Sequence, residues 1–245
     1  MAVMDEFKEE REAIKKAPLG KRVEYFFDYY KWHTIIIIVS VIAICAFIYE
    51  VSTNKDTGFE VAIINAYTDD VDASSMIEEF LPYLDIDTSK EEMIIDDTYY
   101  LDYINQDTNH ATFLQKLITL VSTKVIDVMA ADEVTYARLA YINMFMDLEE
   151  CMSEEFLEEY ADQIVYIDQV MLDKMEESSD DMTEEDYIIG DASDMEEPVA
   201  VGIYVDENSK LYEYYSFMDE PVVIGVIGNT THLESAIAFV EYALD

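Results

Sequence analysis

The sequence has little cysteine, little histidine and few cations. Its 245 residues include two cysteines, three histidines and 14 lysines and arginines, against 55 aspartates and glutamates. Cys45 lies within an apolar run and Cys151 lies beyond it, so the part of the chain after that run cannot form an internal disulfide. Should that part lie outside the cell, its lack of disulfides favours a bacterium with a single membrane over a eukaryotic cell surface.

The scarcity of histidine also limits catalysis. After the apolar run only His110 and His232 remain, and each opens a predicted helix, where an exposed neutral imidazole is the ordinary case. The sequence contains no GxSxG, HExxH, P-loop or GxGxxG motif. We therefore expect no catalytic residue and no cofactor, and we predict that the protein is not an enzyme. Chance pairs of carboxylates are inevitable in so acidic a chain, and a hydrolase using such a pair is kept as an alternative.

The few cations leave most of the chain strongly negative. The first 33 residues carry seven acidic and seven basic side chains, so the net charge of -41 falls entirely on the residues that follow. Such a field repels nucleic acid and anionic lipid, and we exclude both as partners of this part. A solvated, self-repelling surface explains the charge; the alternative is attraction of cations, either Ca²⁺ or a basic partner.

Acidic residues are densest over residues 173–197, where twelve of twenty-five side chains are Asp or Glu. This composition predicts a mobile surface loop. The spacing does not match the Ca²⁺-binding loop DxDxDG, so we expect no specific metal site. Weak Ca²⁺ binding is the most that the loop predicts, through Asp180, Asp181, Glu184, Glu185 and Asp186.

The longest uncharged run of the chain is Thr34 to Tyr49, sixteen residues. A helix rises about 1.5 Å per residue and needs roughly 20 apolar residues to cross hydrocarbon. The aromatic approach from Tyr25 to His33 supplies the missing turn, so we predict one transmembrane helix over residues 32–51, inserted in the lipid bilayer. The predicted membrane anchor comprises Trp32, Ile35, Ile36, Ile37, Ile38, Val39, Val41, Ile42, Ile44, Phe47 and Ile48.

Cleavage of this run as a signal peptide is the alternative. A signal peptide has an apolar core of about 7–15 residues and a small-residue exit site, whereas this run is longer and ends on the bulky stretch Phe47–Val51. The stretch Ile42–Cys45 resembles a lipoprotein lipobox, but Ile44 stands where a small residue is required. A retained helix with a buried cysteine is therefore the prediction.

The distribution of cations predicts the orientation. Half of the lysines and arginines precede the apolar run, and cationic flanks stay in the cytoplasm. We predict a partly helical cytoplasmic tail at residues 1–31, a spacer at 52–58, and an acidic extracytoplasmic domain at 59–245. The tail is too short for an enzymatic domain and is predicted to be a passive anchor or a docking handle.

Apolar patterning over the extracytoplasmic part alternates between strand and helix. The pattern predicts a single α/β domain, with a mixed sheet flanked by helices. The predicted strands are 59–66, 92–98, 125–130, 164–170, 199–205 and 222–227, and the predicted helices are 70–84, 110–122, 132–138, 147–150, 153–160 and 232–244, with Asp132, Ser153 and residues 229–231 as helix caps.

Three segments resemble bacterial extracellular solute-binding proteins of the type II periplasmic-binding fold. They are KVIDVMAAD at Lys124–Asp132, YINMFMDLEE at Tyr141–Glu150, and Val222–Ala243, in which Ala236, Phe239 and Tyr242 match the pattern AxxFxxY of a packed helix. The resemblance covers about sixty residues and implies an α/β lobe that binds a solute. Full members have two lobes, whereas this domain has the size of one, so no pocket residue is transferred.

Nineteen tyrosines are many for a chain of this length. Tyrosine combines apolar area with a polar tip and is enriched at interfaces. We predict a recognition surface from two clusters, with half-buried strand positions as the alternative. The clusters are Tyr99, Tyr100 and Tyr103, and Tyr212, Tyr214 and Tyr215.

These observations predict a single-pass bacterial membrane protein. Its extracytoplasmic domain is expected to bind a protein or a small-molecule ligand without catalysis, in the manner of one solute-binding lobe. The first alternative is an accessory subunit of a membrane complex of the transport type. The second, from a different class, is a membrane-tethered hydrolase that uses paired carboxylates.

Overall fold

The computed structural model describes residues 14–68, 74–103, 108–177, 187–219 and 221–245. The chain separates into two units, Met1–Asn54 and Lys55–Asp245, and each is described by itself. The first thirteen residues of the predicted tail, 1–13, lie outside the described residues. The five residues proposed for weak Ca²⁺ binding, 180, 181 and 184–186, lie outside them entirely.

The first unit contains one long helix, α1, Leu19–Thr53, with Pro18 at the N-cap position. Its apolar stretch, Tyr30–Thr53, has 24 residues and is long and apolar enough to cross a membrane; at 1.5 Å per residue it measures about 36 Å. A signal sequence near the amino terminus can meet the same criteria of length and hydropathy. The helix extends beyond the predicted residues 32–51 at both ends, so the predicted spacer at 52–58 shrinks to Asn54 and Lys55.

The second unit is built around a mixed β-sheet. Six strands lie in the order β3-β1-β4-β8-β6-β5. Strand β1 is parallel to both β3 and β4, whereas the β4–β8, β8–β6 and β6–β5 pairs are antiparallel. A separate antiparallel pair is formed by β2 and β7. The strands are β1 Asp56–Ile64, β2 Ala66–Tyr67, β3 Glu91–Tyr99, β4 Val128–Asp132, β5 Ile164–Asp168, β6 Pro198–Tyr204, β7 Ser216–Phe217 and β8 Val222–Val226.

Helices flank this sheet, which confirms the predicted α/β class. Two short 3₁₀ turns, Leu81–Tyr83 and Ala192–Asp194, accompany them. The helices of the second unit are α2 Ser74–Phe80, α3 Thr108–Ser122, α4 Glu133–Ala140, α5 Leu148–Cys151, α6 Glu154–Glu159, α7 Gln169–Glu177, α8 Lys210–Tyr214 and α9 Leu233–Leu244.

The sheet is buried on both faces, which explains why its central strands are continuously apolar. Along β1, Phe59, Val61 and Ile63 enter one core, where Phe59 packs against Phe80 and Phe239. Ala62 and Ile64 enter a second core on the opposite face, together with Leu117 of α3 and Tyr136 of α4. Strand β1 therefore connects both cores, because its side chains alternate between the faces.

Tyr136 is one of the largest side chains buried in the second core. Its ring stacks on Phe145 at 4.0 Å, and its hydroxyl donates to the Val201 carbonyl at 2.7 Å. The ring lies against Gly202 and Gly225, where a Cβ atom would overlap the tyrosine hydroxyl. The two glycines thus open a groove in β6 and β8 that only residues without a side chain provide.

The two outer strands of the sheet are protected in different ways. Strand β3 carries Glu91 and Glu92 at its start and further acids at Asp96 and Asp97. Strand β5 is covered by Gly190, which exchanges two backbone hydrogen bonds with Tyr166, at 2.9 and 3.1 Å. Charge and a covering segment are two of the means by which proteins block pairing with other chains.

Some predicted caps and loops differ from the structure. Asp132 and Ser153 cap α4 and α6 as predicted, by accepting from the Thr135 and Phe156 backbone N–H groups. The predicted cap of α9 at residues 229–231 is wrong, since His232 occupies the N-cap position without a side-chain bond. The predicted acidic loop is wrong over 173–177, because α7 continues through those residues.

Candidate functional site

The parallel strands converge at one edge of the sheet. The carboxyl ends of β1, β3 and β4 lie there together, with β1 in the middle. The chain passes from β1 to β3 on one side and returns across β1 to reach β4 on the other. In open α/β sheets, ligands bind outside the carboxyl ends of the strands at this kind of reversal in strand order.

Asn65, the residue directly after β1, organises this edge. Its φ of 55° is left-handed, a conformation that asparagine tolerates because its side chain bonds locally. Its side-chain Oδ1 accepts from the Leu101 backbone N–H at 2.8 Å, and Nδ2 donates to the Leu101 carbonyl at 3.0 Å. Nδ2 also donates to Asp132 Oδ2 at 2.7 Å and Thr135 Oγ1 at 3.1 Å. One amide therefore joins the segments that follow β1, β3 and β4.

Asp132 links the edge to helix α4. It ends β4 and is 4% exposed, and its Oδ1 accepts from the Thr135 backbone N–H at 2.9 Å. The other oxygen, Oδ2, accepts from Asn65. The N-cap role was predicted from the sequence, but the bond to Asn65 was not. The only sequence signal for Asn65 is a polar amide inside the apolar run 59–66.

A cavity of about 390 Å³ opens above this network. Its rim is apolar and exposed: Val134 is 59% exposed, Met218 51% and Tyr100 44%. Asn65, Asp132 and Thr135 form its polar floor, and small-ligand sites combine apolar surface with a few fixed polar groups of this kind. The lining residues are Asn65, Tyr100, Leu101, Asp102, Tyr103, Asp132, Val134, Thr135, Met218 and Asp219.

A second cavity, also of about 390 Å³, shares Tyr103 and Val134 with the first. We call the two cavities together the strand-end crevice. The guanidinium of Arg138 lies over the rings of Tyr103 and Tyr187, at 4.6 and 4.7 Å from their centroids. Burial raises the pKa of Tyr103 to about 12, against the opposing effect of Arg138, so its hydroxyl is neutral. The other residues of this cavity are Glu133, Ala137, Ile188 and Ile189.

The six tyrosines predicted to form a recognition surface are divided by the structure. Tyr99, Tyr214 and Tyr215 are 1–5% exposed, so for them the prediction is wrong: they belong to the cores. Tyr99 ends β3 facing α3, where Lys116 lies 4.4 Å from its ring. Tyr212 is half-buried against Phe217. Of the six, Tyr100 and Tyr103 line the strand-end crevice.

Both histidines outside α1 contact other side chains, whereas the sequence predicted exposed imidazoles. His110 is 7% exposed and packs its ring against Tyr103 at 4.6 Å, so the prediction of an exposed imidazole is wrong there. His232 keeps 38% side-chain exposure but places Nδ1 3.1 Å from Asp127 Oδ1. This pair lies at the amino end of β4, away from the strand-end crevice.

Asp127 is fully buried and fastens several segments together. It accepts from the Glu60 backbone N–H at 3.0 Å and from the Thr230 hydroxyl. Because that hydroxyl donates to the carboxylate, it is not oriented as a nucleophile toward the imidazole of His232. The hydrogen bonds of Asp127 therefore hold the residues before α9 against β1 and β4, and we interpret their role as structural.

Metal ligation finds no support in the described part of the chain, where no group of three or more His, Cys, Asp or Glu residues is placed to hold an ion. No family model matches this sequence, and neither a curated protein nor a solved structure matches it significantly. The resemblance to solute-binding proteins therefore stays a prediction.

Proposed function

We propose that the protein is a single-pass bacterial membrane protein whose extracytoplasmic α/β domain binds a ligand in the strand-end crevice, without catalysis. The observation that carries the proposal is the crevice itself, at the carboxyl ends of β1, β3 and β4, with a polar floor and an exposed apolar rim. Its volume of about 390 Å³ for each cavity falls within the range of small-ligand sites, roughly 300–1,000 Å³.

The floor of the crevice favours binding because its side chains are already fixed. Asn65 has all of its side-chain groups engaged, and Asp132 is held from two sides. A site with such restraint loses little conformational entropy when a ligand enters. Exposed apolar side chains such as Val134 and Met218 then gain free energy by leaving water, at about 25 cal/mol per Å² of apolar surface.

The non-enzymatic part of the proposal is supported by the position of the titratable groups. The crevice contains carboxylates and tyrosines but no histidine or cysteine among its described lining residues. Asp132, its most buried carboxylate, is fixed as a helix cap by the Asn65 amide and the Thr135 backbone N–H. Binding is thus the role that these side chains support best.

The membrane part of the proposal depends on α1. Its 24-residue apolar stretch follows six of the fourteen lysines and arginines, and a seventh, Lys31, lies at its start. This distribution is typical of an anchor whose amino end stays in the cytoplasm. The acidic domain would then face outward, as a single lobe related to solute-binding proteins. An accessory subunit of a membrane complex is the alternative in which α1, rather than the crevice, makes the important contacts.

A ligand screen tests the binding function directly. Full-length protein in nanodiscs is heated with a library of small solutes, and a ligand of the crevice raises the melting temperature. The shift is expected to vanish in Tyr100→Ala and in Met218→Ala. It is expected to persist in the matched surface variants Tyr83→Ala and Ile142→Ala, which are 71% and 49% exposed outside the crevice lining. Ligands that raise the melting temperature of the crevice variants as much as that of the parent protein would contradict the proposal.

A second experiment tests the topology. Protease added to intact cells should remove the acidic domain and leave a membrane-bound fragment containing α1. The mass of the mature protein separates an anchor from a signal sequence, since only an anchor keeps residues 19–53. An acidic domain that resists external protease until the cells are opened would overturn the orientation.

A further inference from the structure

We propose that the first cavity of the strand-end crevice takes an organic cation, with an ammonium group on a short apolar or aromatic stem. The inference deepens the proposed binding function and rests on it. The inference is supported by the charges, the hydrogen-bond capacity and the exposed aromatic ring of the cavity lining.

The charged side chains of this cavity all have one sign. Asp102, Asp132 and Asp219 line it, and no lysine, arginine or histidine is among its described lining residues. The nearest cation of the crevice, Arg138, lines the second cavity, where its guanidinium lies over two tyrosine rings. An anionic ligand in the first cavity would therefore meet three carboxylates, and a cationic one would be attracted.

The hydrogen bonds of the floor point the same way. The two amide hydrogens of Asn65 already serve three acceptors, and the Thr135 backbone N–H already serves Asp132. Each oxygen of Asp132 accepts one bond in these contacts, whereas a carboxylate oxygen can accept two. The floor thus has spare acceptors and few spare donors, and an ammonium group is a donor without an acceptor.

The rim suits the remainder of such a ligand. The Tyr100 ring is 44% exposed, and an aromatic face attracts a cation within about 6 Å of its centre. Val134 and Met218 offer apolar surface for a stem. The net charge of -41 raises the concentration of cations around the whole protein, but it does not choose a site. The joint presence of a cavity, carboxylates and an open ring does.

Three probes with one stem separate charge from shape. Phenethylamine, 2-phenylethanol and 3-phenylpropanoate are titrated by ligand-observed NMR into full-length protein in phosphatidylcholine nanodiscs, at a salt concentration of about 0.3 M that screens non-specific attraction. We expect the amine to bind at least about tenfold more tightly than the alcohol, the gain of a charge-assisted contact. The carboxylate is expected not to bind.

Paired variants locate the binding. Asp102→Asn with Asp219→Asn should weaken amine binding about tenfold, whereas Asp85→Asn with Asp194→Asn, which removes the same charge from exposed positions outside the lining, should not. If both pairs of substitutions weaken amine binding equally, the attraction is non-specific and the inference is overturned. If neither pair weakens amine binding, the inference is overturned as well. Preferred binding of the alcohol or the carboxylate, lost in Tyr100→Ala, overturns the cation inference and leaves ligand binding in place. Failure of all three probes overturns the inference, and the solute screen decides the binding function separately.

Discussion

Glu60, in the middle of β1, should make the stability of the protein depend on pH. Its side chain is 5% exposed. Burial, together with the nearby carboxylates of Asp96 and Asp127, raises its pKa from 4.5 to about 7, against the opposing effect of Lys116. Lys116 forms a salt bridge with Asp96 at 3.0 Å, so the negative charge of Asp96 reduces the stabilisation that Lys116 gives to an ionised Glu60. Between about pH 4.5 and 7, Glu60 is therefore mainly protonated in the native state and mainly ionised in the unfolded state.

The sign and size of the effect follow from this shift. The folded pKa is above the unfolded value, so the contribution to stability is fully present below pH 4.5 and is lost as the pH rises through 7. Each pKa unit corresponds to about 1.36 kcal/mol, so the ionised Glu60 costs about 3 kcal/mol at pH 8. Glu60→Gln keeps the shape and removes the charge. It should stabilise the protein by about that amount at pH 8, and by little at pH 4.5.

Urea unfolding at several pH values measures this difference. The free energy of unfolding of Glu60→Gln minus that of the parent protein should grow between pH 4.5 and 7 and then level off. Glu92→Gln, on the neighbouring strand at an exposed position, controls for the general relief of negative charge. A difference that stays constant with pH, or that the Glu92 variant reproduces, would refute the reasoning.

Three further predictions concern packing, the floor of the crevice and the second cysteine. Gly225→Ala should destabilise the domain by about 3 kcal/mol in urea unfolding, because a Cβ atom there would overlap the Tyr136 hydroxyl and, at 2.7 Å, the Val201 carbonyl oxygen. The cost should be smaller in a Tyr136→Phe background, which removes the closer overlap; an equal cost in both backgrounds would contradict this packing. Asn65→Ala should cost about 3 kcal/mol, and Asn65→Gly about 1 kcal/mol less, since glycine accepts the left-handed backbone; an equal cost would exclude strain at this position. Burial, with Asp147 and Glu150, raises the pKa of Cys151 to about 11, so in a Cys45→Ser protein at pH 8 iodoacetamide should label it far more slowly before unfolding in urea than after; equal rates would show an open thiol.

Apolar periodicity predicted most of the second unit. Residues 59–64, 110–122 and 233–244 form a strand and two helices close to the predicted bounds, because their apolar side chains repeat with the period of the structure they adopt. Helix α8 was missed because five residues are too few to show a period. The cap of α9 failed because Thr230 and Asn229 bond to the distant Asp127 and Val121 instead of to the helix.

The candidate site was only partly predictable for a similar reason. Asp132 carries a local signal, since an acid before a helix predicts a cap. For Asn65 the only signal is a polar amide inside an apolar run, which does not identify its partners, because they are 36 to 70 residues away in sequence. Tyrosine composition cannot separate Tyr100, which follows β3 and is exposed, from Tyr99, the last residue of β3, which is 1% exposed because it packs against Phe113 of α3.

The acidic outer strand β3 has a consequence for crowded surfaces. Molecules tethered side by side in one plane collide far more often than in dilute solution. An unprotected edge strand would then let the sheets of adjacent copies pair through backbone hydrogen bonds. Glu91, Glu92, Asp96 and Asp97 on β3 would bring like charges face to face in such a pairing. If α1 anchors the protein as proposed, copies of this domain can therefore lie at high density in one membrane while each stays separate.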